Sequence, residues 1–207
     1  MDEYFTLKQQ ASDEYVVKHS RFISCALPVQ TQEQAVAFIN EVRAKHWDAK
    51  HNVYAYVLRD GQIKRYSDDG EPQGTAGMPV LDVLLKEELT DCCVVVTRYF
   101  GGILLGGGGL VRAYSHSAKL GVDAAQKIKM ALCVRAVCEC DYGFYGKLSG
   151  MIPEAGGTVE AADFTDKVSV AFTMPQNLYD GFCAAVFDAS LGKVSPREVE
   201  TLFAEAK

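Results

Sequence analysis

Six of the chain's 18 glycines lie between Gly101 and Gly109, after a β-branched run and before a helical apolar pattern. Clustered glycine is typical of tight turns or of close backbone approach. A helix that begins at such a junction exposes free N–H groups and the positive end of its dipole, which together favour an anion. Neither the Gly-Lys-Ser/Thr phosphate loop nor Gly-x-Gly-x-x-Gly is present. The segment therefore predicts either an anion site or a structural loop for close strand–helix packing.

A second glycine segment, Gly74-Thr-Ala-Gly77, also precedes a predicted helix start. The two segments could face one cleft, where the hydroxyl of Thr75 would add a hydrogen-bond donor. The alternative is that Thr75 simply caps the helix that follows.

Three carboxylates, Asp68, Asp69 and Glu71, lie within four residues. They could hold Mg²⁺ through oxygen ligands, or one could act as a general base. The pattern Asp-Asp-Gly is also an ordinary turn in which aspartates accept hydrogen bonds from backbone amides, and this interpretation is favoured. Further oxygen ligands for a metal are not identifiable, so we predict neither a metal nor a cofactor.

Two arginines and two aromatic residues lie beside the glycine run. Arg98 ends the run Val94-Val-Val-Thr97, and Arg112 lies in the first turn of the next predicted helix. Each arginine could bind an anion or an internal carboxylate such as Asp69 or Glu71. Tyr99 and Phe100 could stack on bases, or they could belong to the core.

His51 follows Lys50 at the start of a predicted strand. Histidine can act as an acid or a base near neutral pH, although a hydrogen-bonded structural role is favoured here. No Gly-x-Ser-x-Gly elbow occurs, and the cysteines lie in apolar runs that do not favour a nucleophile. We therefore predict no catalytic residue.

Composition and charge limit the function classes. The 207 residues are 48% hydrophobic and carry a net charge of −6, which argues against a generally basic nucleic-acid coat. Residues 1–130 carry a net charge of only −1, and residues 131–207 one of −5, so any RNA contact would use a local patch on the first part. Seven cysteines without a Cys-x-x-Cys pattern indicate reduced thiols, and no signal peptide or membrane span is recognisable. We expect a cytoplasmic protein.

The periodicity predicts the elements that must position these residues. Thr31 is the expected N-cap of the first helix, and Asp60-Gly61 the expected turn of a hairpin. Further strands are predicted over 14–17, 21–26 and 92–99, and helices over 80–89 and 110–127. The boundary between two domains, 1–130 and 131–207, is expected near residues 127–131.

The second part alternates strands and helices in the order β-α-β-β-α-β, which is the ferredoxin-like order. The predicted segments are 131–140, 143–155, 158–163, 167–173, 176–189 and 192–202, the last being a strand or a short helix.

Together these residues resemble the YigZ/IMPACT family, most specifically through Asp68-Asp-Gly-Glu-Pro72, Arg98-Tyr-Phe-Gly-Gly102 and Leu105-Gly-x-Gly-Gly-Leu-x-Arg-Ala-Tyr114. Shorter matching segments are Ser20-Arg-Phe22, Ala49-x-His51-x-x-x-Ala55 and Gly74-Thr-Ala-Gly-x-Pro79. The similarity covers the chain to about residue 127, and the remainder is similar to the small C-terminal domain of bacterial members.

The resemblance implies an α+β protein. Its first domain would be like the second domain of ribosomal protein S5, and its second would be ferredoxin-like, similar to a C-terminal domain of elongation factor G. Eukaryotic relatives regulate translation under amino-acid stress by competing for a partner of an eIF2-alpha kinase. Bacteria lack that pathway, and a dipeptidase label carried by some members finds no support in a set of metal ligands here.

We accordingly expect a non-catalytic, translation-linked regulatory protein that binds RNA, the ribosome or a translation-factor protein. The alternatives are a Mg²⁺-dependent enzyme acting on a phosphorylated small molecule or nucleotide, and a pure protein-interaction module. The oligomeric state is not predictable. The expected binding residues are Lys50, His51, Asp68, Asp69, Glu71, Gly74, Thr75, Gly77, Arg98, Tyr99, Phe100, Gly101, Gly102, Gly106, Gly107, Gly108, Gly109 and Arg112.

Overall fold

The chain folds into two compact units, seen in a computed structural model that describes residues 3–206. One unit comprises Tyr4–Lys129, and the other begins at Met130 and includes Glu3. Each unit has its own hydrophobic core, and the predicted α+β class is confirmed.

The first unit is built on a five-stranded antiparallel sheet in the order β2-β3-β6-β4-β5. Its central strand carries the run Cys92-Cys-Val-Val-Val96, and every residue from Cys92 to Arg98 is buried. A strand that is apolar on both faces must be covered on both faces, so the sheet takes helices on each side. The strands are β2 (Ala11–Val17), β3 (Ser20–Pro28), β4 (His51–Leu58), β5 (Ile63–Ser67) and β6 (Cys92–Tyr99).

Helix α1 (Gln32–Lys45) covers one face of this sheet. The side chain of Thr31 accepts a hydrogen bond from the backbone N of Gln34 at 3.3 Å, as the predicted N-cap requires. The apolar residues at helical spacing, among them Phe38 and Ile39, are buried against β4 and β6.

Helices α2 (Gly77–Lys86) and α3 (Gly107–Ala125) cover the other face. The first ends three residues before the predicted end at Leu89, because Glu88 has a φ of 56°. The second begins three residues before the predicted start at Leu110 and ends two before the predicted end, where Gln126 has a φ of 61°. Apolar periodicity cannot detect a helical turn made of glycine, so the first turn of α3 was missed.

The second unit has the strand order β10-β7-β9-β8, with both helices completing the ferredoxin-like β-α-β-β-α-β connection. Strand β1 (Glu3–Leu7) precedes β2 along the chain. The segment predicted over 192–202 as a strand or a short helix is a strand, and it begins at Arg197. The elements are β7 (Lys127–Cys140), α4 (Tyr142–Glu154), β8 (Thr158–Phe164), β9 (Val168–Pro175), α5 (Gln176–Ala189) and β10 (Arg197–Glu205).

All seven cysteines are free thiols, and six of them are buried. Burial raises the pKa of Cys138 to about 12, so this thiol stays protonated at neutral pH. No helix in residues 3–206 is long and apolar enough to cross a membrane.

Candidate functional site

A buried ion pair joins the acidic turn to the end of β6. One oxygen of Glu71, Oε1, accepts hydrogen bonds from Arg98 Nη1 at 2.7 Å and from the hydroxyl of Tyr114, on α3, at 2.8 Å. The side chains of Glu71 and Arg98 are only 4% and 7% exposed. Burial is the largest cause of a raised pKa at Tyr114, and the negative charge of Glu71 and the hydrogen bond to Glu71 raise it further. The Tyr114 hydroxyl therefore stays protonated and donates its hydrogen bond.

The guanidinium of Arg98 lies within the fold. It is 5.5 Å from the ring centre of Phe22 and 5.6 Å from that of Phe100, which places it between two aromatic rings. Its Nε is buried and has no hydrogen-bond partner in the described part of the chain. Its charge therefore meets the carboxylate of Glu71, which is the internal alternative of the two that the sequence left open.

Asp69 is held by a different set of groups. Its Oδ1 accepts from Arg43 Nη2 at 2.8 Å, and its Oδ2 accepts from the backbone N of Asn52 at 2.6 Å. Its carbonyl oxygen lies 2.8 Å from His51 Nδ1, so the imidazole is fixed by a main-chain hydrogen bond. Asp69 has a φ of 44°, which the turn requires and these contacts stabilise.

Asp68 caps the start of α2. Its Oδ1 accepts from the backbone N of Gly77 at 2.8 Å and of Ala76 at 3.1 Å, and its Oδ2 accepts from Gly74 N at 2.9 Å. Thr75 does not cap the helix, since its hydroxyl donates to the carbonyl of Pro72 at 2.6 Å. The anion that the second glycine segment was expected to attract is thus an internal carboxylate.

We predict that Asp68→Ala lowers the free energy of unfolding by about 1–2 kcal/mol, because three amides at the start of α2 lose their acceptor. Urea denaturation followed by circular dichroism measures the change. Asp82→Ala is the matched control, since Asp82 is exposed on the same helix and makes no comparable cap. Equal stability of the two variants would contradict the capping role.

The three clustered carboxylates therefore have three different sets of partners. Asp68 accepts from backbone amides at the start of α2, Asp69 from Arg43 and Asn52, and Glu71 from Arg98 and Tyr114. Within residues 3–206, no group of three or more His, Cys, Asp or Glu side chains is arranged to hold a metal ion. The arrangement is that of the favoured Asp-Asp-Gly turn, with each acid neutralised or capped locally.

Two glycines permit close backbone approach. A Cβ on Gly101 would lie 2.0 Å from the carbonyl carbon of His19, and one on Gly77 would lie 2.7 Å from the carbonyl carbon of Ser67. Their absent side chains let the end of β6 pass the β2–β3 turn and let α2 begin against β5. These two glycines are explained by packing, which was one of the two alternatives for the glycine segments.

The start of α3 differs from that of α2. Its N-cap, Gly106, has a φ of 71°, provides no side-chain hydrogen bond, and is followed by no acidic residue in the first turn. Gly106, Gly107 and Gly108 are exposed, and the Thr75 methyl group lies 3.8 Å from where a Cβ of Gly107 would be. The two glycine segments therefore adjoin, as expected, although only the one at α3 keeps its amides free of a carboxylate cap.

Exposed side chains accompany the start of α3. Phe100 is 54% exposed and Leu104 is 81% exposed. Arg112 is exposed, and no carboxylate in residues 3–206 forms an ion pair with it. We define the glycine surface as Phe100–Gly109 together with Arg112.

Tyr99 points away from the glycine surface. Side chains alternate along a strand, so Arg98 and Phe100 face the α2/α3 side and Tyr99 faces the α1 side. There Tyr99 Oη lies 3.0 Å from His46 Nδ1 and donates to Asp48 Oδ1 at 2.9 Å. Lys50 is exposed in the loop between α1 and β4. The predicted residues thus fall on two faces of the sheet rather than around one cleft.

Several residues at these sites were absent from the sequence prediction. Arg43 and Asn52, which hold Asp69, come from different elements and carried no local pattern. Tyr114 was noted as the last residue of a family motif, although a tyrosine whose ring is buried usually needs a partner for its hydroxyl. Trp47, which follows the end of α1 at Lys45, was also not singled out from the sequence.

Comparison with known proteins places these residues in a family. The model of the Impact N-terminal domain matches residues 18–122, and that of a domain of unknown function, DUF1949, matches residues 138–193. The IMPACT family member YvyE of Bacillus subtilis (strain 168) is 35% identical over 206 residues, covering 99% of this chain and 95% of that protein. The IMPACT family member YigZ of Escherichia coli (strain K12) is 33% identical over 187 residues, covering 89% and 92%.

A solved structure described as a crystal structure of an hypothetical protein is also similar. It shares 30% sequence identity with a TM-score of 0.61, covering 97% of this chain and 98% of that one. The family match includes the acidic turn, the end of β6 and the glycine surface, whose geometry is described above. By its sequence, this chain belongs to the IMPACT family.

Proposed function

We propose that this chain is a non-catalytic, translation-linked regulatory protein of the cytoplasm that binds RNA through the glycine surface. The observation that carries the proposal is the contrast between two helix starts. Asp68 fills the start of α2, whereas the start of α3 has no carboxylate and lies beside Arg112, which has no ion-pair partner in residues 3–206. Free amides and an unpaired guanidinium are groups that phosphate oxygens accept from.

The exposed ring of Phe100 supports RNA as the source of that phosphate. An exposed aromatic ring offers a base of single-stranded nucleic acid a face to stack on, and Arg112 with the free amides of the same surface would meet the backbone. Arg98 would act indirectly, since it lies 5.6 Å from the Phe100 ring centre and fixes the end of β6 from within.

The link to translation rests on the family. Eukaryotic IMPACT relatives regulate translation, and a bacterial member without their kinase pathway would need a target present in bacteria. RNA and the ribosome are such targets. The Mg²⁺-dependent alternative is not favoured, because Asp68, Asp69 and Glu71 each have local partners and do not converge.

The test is binding of purified ribosomes and of a structured ribosomal RNA fragment by Gly108→Asp and its control, Gly108→Ala. Gly108 lies in the first turn of α3, with only Arg112 Nη1 near the added atom, at 3.8 Å. An aspartate there favours the helix through its dipole but repels phosphate. The protein should therefore stay folded while its RNA affinity falls about tenfold or more.

Three results would be informative. Loss of binding in Gly108→Asp but not in Gly108→Ala supports the proposal, and Arg112→Gln should weaken binding as well. Equal RNA binding by all variants would refute the assignment of the surface. A native protein that binds no RNA at low salt, yet binds a purified translation factor in a manner that Leu104→Ala abolishes, would replace RNA by a protein partner.

A further inference from the structure

Trp47 is the only tryptophan of the chain and is 83% exposed. Tryptophan is highly buried on average, because its large ring gains much from leaving water. It lies between His46, the C-cap of α1, and the start of β4 at His51. Its ring is the most exposed aromatic side chain in residues 3–206, which leaves the whole indole face open to a ligand.

The residues on both sides of Trp47 are anchored. The single proton of the Tyr99 hydroxyl goes to Asp48 Oδ1 at 2.9 Å, so His46 Nδ1–H is the donor in its 3.0 Å contact with the same hydroxyl. Burial is the largest cause of a lowered pKa at His46, and the positive charge of Lys45 lowers it further. Both favour the neutral imidazole with its proton on Nδ1. The loop is therefore fixed on both sides of the indole, and its exposed position is part of the fold.

The surroundings of Trp47 are cationic. Lys45 and Lys50 are exposed, and no described residue forms an ion pair with either. The nearest acid in sequence, Asp48, is engaged by Tyr99. Two exposed lysines without an ion-pair partner in residues 3–206 thus flank in sequence the most exposed aromatic ring of the described residues.

We propose that Trp47 is a base-stacking site for single-stranded RNA, with Lys45 and Lys50 binding the flanking phosphates. This inference rests on the proposed RNA binding. It adds a second contact, because Tyr99 and Trp47 belong to the α1 side of the sheet, and the glycine surface belongs to the α2/α3 side. Together the two contacts would hold one strand of RNA across the end of β6.

The chemistry around the ring favours RNA over a protein partner. The centre of a protein interface is depleted of charged residues and surrounds its tryptophan with further apolar side chains. Trp47 instead has lysines two residues before it and three residues after it, with His46 and Asp48 adjacent. A stacking ring between cations is the arrangement found in single-strand binding proteins.

The test uses the tryptophan fluorescence of this chain, excited selectively so that its ten tyrosines do not contribute and the signal reports Trp47 alone. A 12-nucleotide oligouridylate is titrated in low salt, with a 12-base-pair RNA duplex as the second probe. We expect saturable quenching and protection from acrylamide with the single strand. The duplex should quench much less, because its bases are already stacked on each other. Filter binding of the same oligouridylate gives the affinity independently of the fluorophore.

Variants separate stacking from charge. Trp47→Ala should weaken oligouridylate binding roughly tenfold to a hundredfold, and Trp47→Phe should retain most of the affinity because a ring remains. Leu191→Ala is the control for loss of an exposed apolar side chain, since Leu191 is 87% exposed in the other unit. Both alanine variants should remain folded.

The failure of this inference is distinguishable from the failure of the proposed function. If the native protein binds oligouridylate by filter binding but Trp47 is neither quenched nor required, stacking at Trp47 is wrong and RNA binding stands. If no RNA binds at low salt, both are wrong. If quenching follows protein concentration without RNA, Trp47 is covered by a second copy of the chain, which also overturns the inference.

Discussion

Glu71→Ala is expected to lower the free energy of unfolding by about 3–5 kcal/mol, the largest effect among the acidic residues of the turn. The substitution removes the partner of Arg98 and leaves a guanidinium that is 7% exposed without a countercharge. It also removes the acceptor of the Tyr114 hydroxyl, whose own burial makes an unsatisfied donor costly. Chemical denaturation monitored by circular dichroism measures the loss.

Two further variants test whether the loss comes from a buried charge left without a partner. Arg112→Ala, an arginine to alanine change at the surface, should alter stability by no more than about 0.5 kcal/mol. The double variant Glu71→Gln/Arg98→Met removes both charges and should recover part of the stability lost in Glu71→Ala, because no buried charge remains unpaired. A loss below about 1 kcal/mol in Glu71→Ala would contradict the buried ion pair.

Gly101→Ala is expected to lower the free energy of unfolding by about 3 kcal/mol or more. The added carbon would lie 2.0 Å from the carbonyl carbon and 2.2 Å from the carbonyl oxygen of His19, and 2.4 Å from the backbone N of Ser20. All three atoms belong to the backbone, so no rotation of a side chain relieves the overlap. The end of β6 or the β2–β3 turn would have to move, which also breaks the hydrogen bond from Gly101 N to Ser20 Oγ.

Gly108→Ala is the matched control for Gly101→Ala, since both glycines lie in the same segment. Gly108 is helical, and an added Cβ meets only Arg112 Nη1 at 3.8 Å. Alanine is favoured over glycine by up to about 1 kcal/mol inside a helix, so this variant should be neutral or more stable. Thermal unfolding of the two variants side by side measures the difference. Similar stability would show that Gly101 is not at a close approach.

Elements with a clear apolar period were predictable from the sequence. The 92–99 strand and the order of the second unit follow from burial on one or both faces, which the residue types indicate directly. The cap at Thr31 was predictable because its side-chain oxygen can accept a backbone hydrogen bond. The ends of α2 and α3 were not predictable to the residue. These helix ends depend on the left-handed backbone conformations of Glu88 and Gln126. Glutamate and glutamine do not favour that conformation, so the sequence does not predict it.

The sequence indicated several polar residues of the candidate site but not their arrangement. From the sequence, Asp68, Glu71 and Arg98 were expected to bind a ligand or another part of the chain. In the structure, their partners are groups of the chain itself. The pairing of each carboxylate with its donor depends on tertiary contacts. Glu71 and Arg98, for example, are 27 residues apart in the sequence. The division of Tyr99 and Phe100 between two faces follows from strand alternation, which a single-cleft hypothesis overlooked.

The most direct test of the central proposal is the affinity of the native protein for structured RNA across a salt series, beside Gly108→Asp. If phosphates bind at the start of α3, log Kobs should fall linearly with log salt with a slope of about −1 from Arg112, and Gly108→Asp should remove most of that slope. Absence of binding at low salt, or an identical slope and affinity in Gly108→Asp, would contradict RNA binding at the glycine surface.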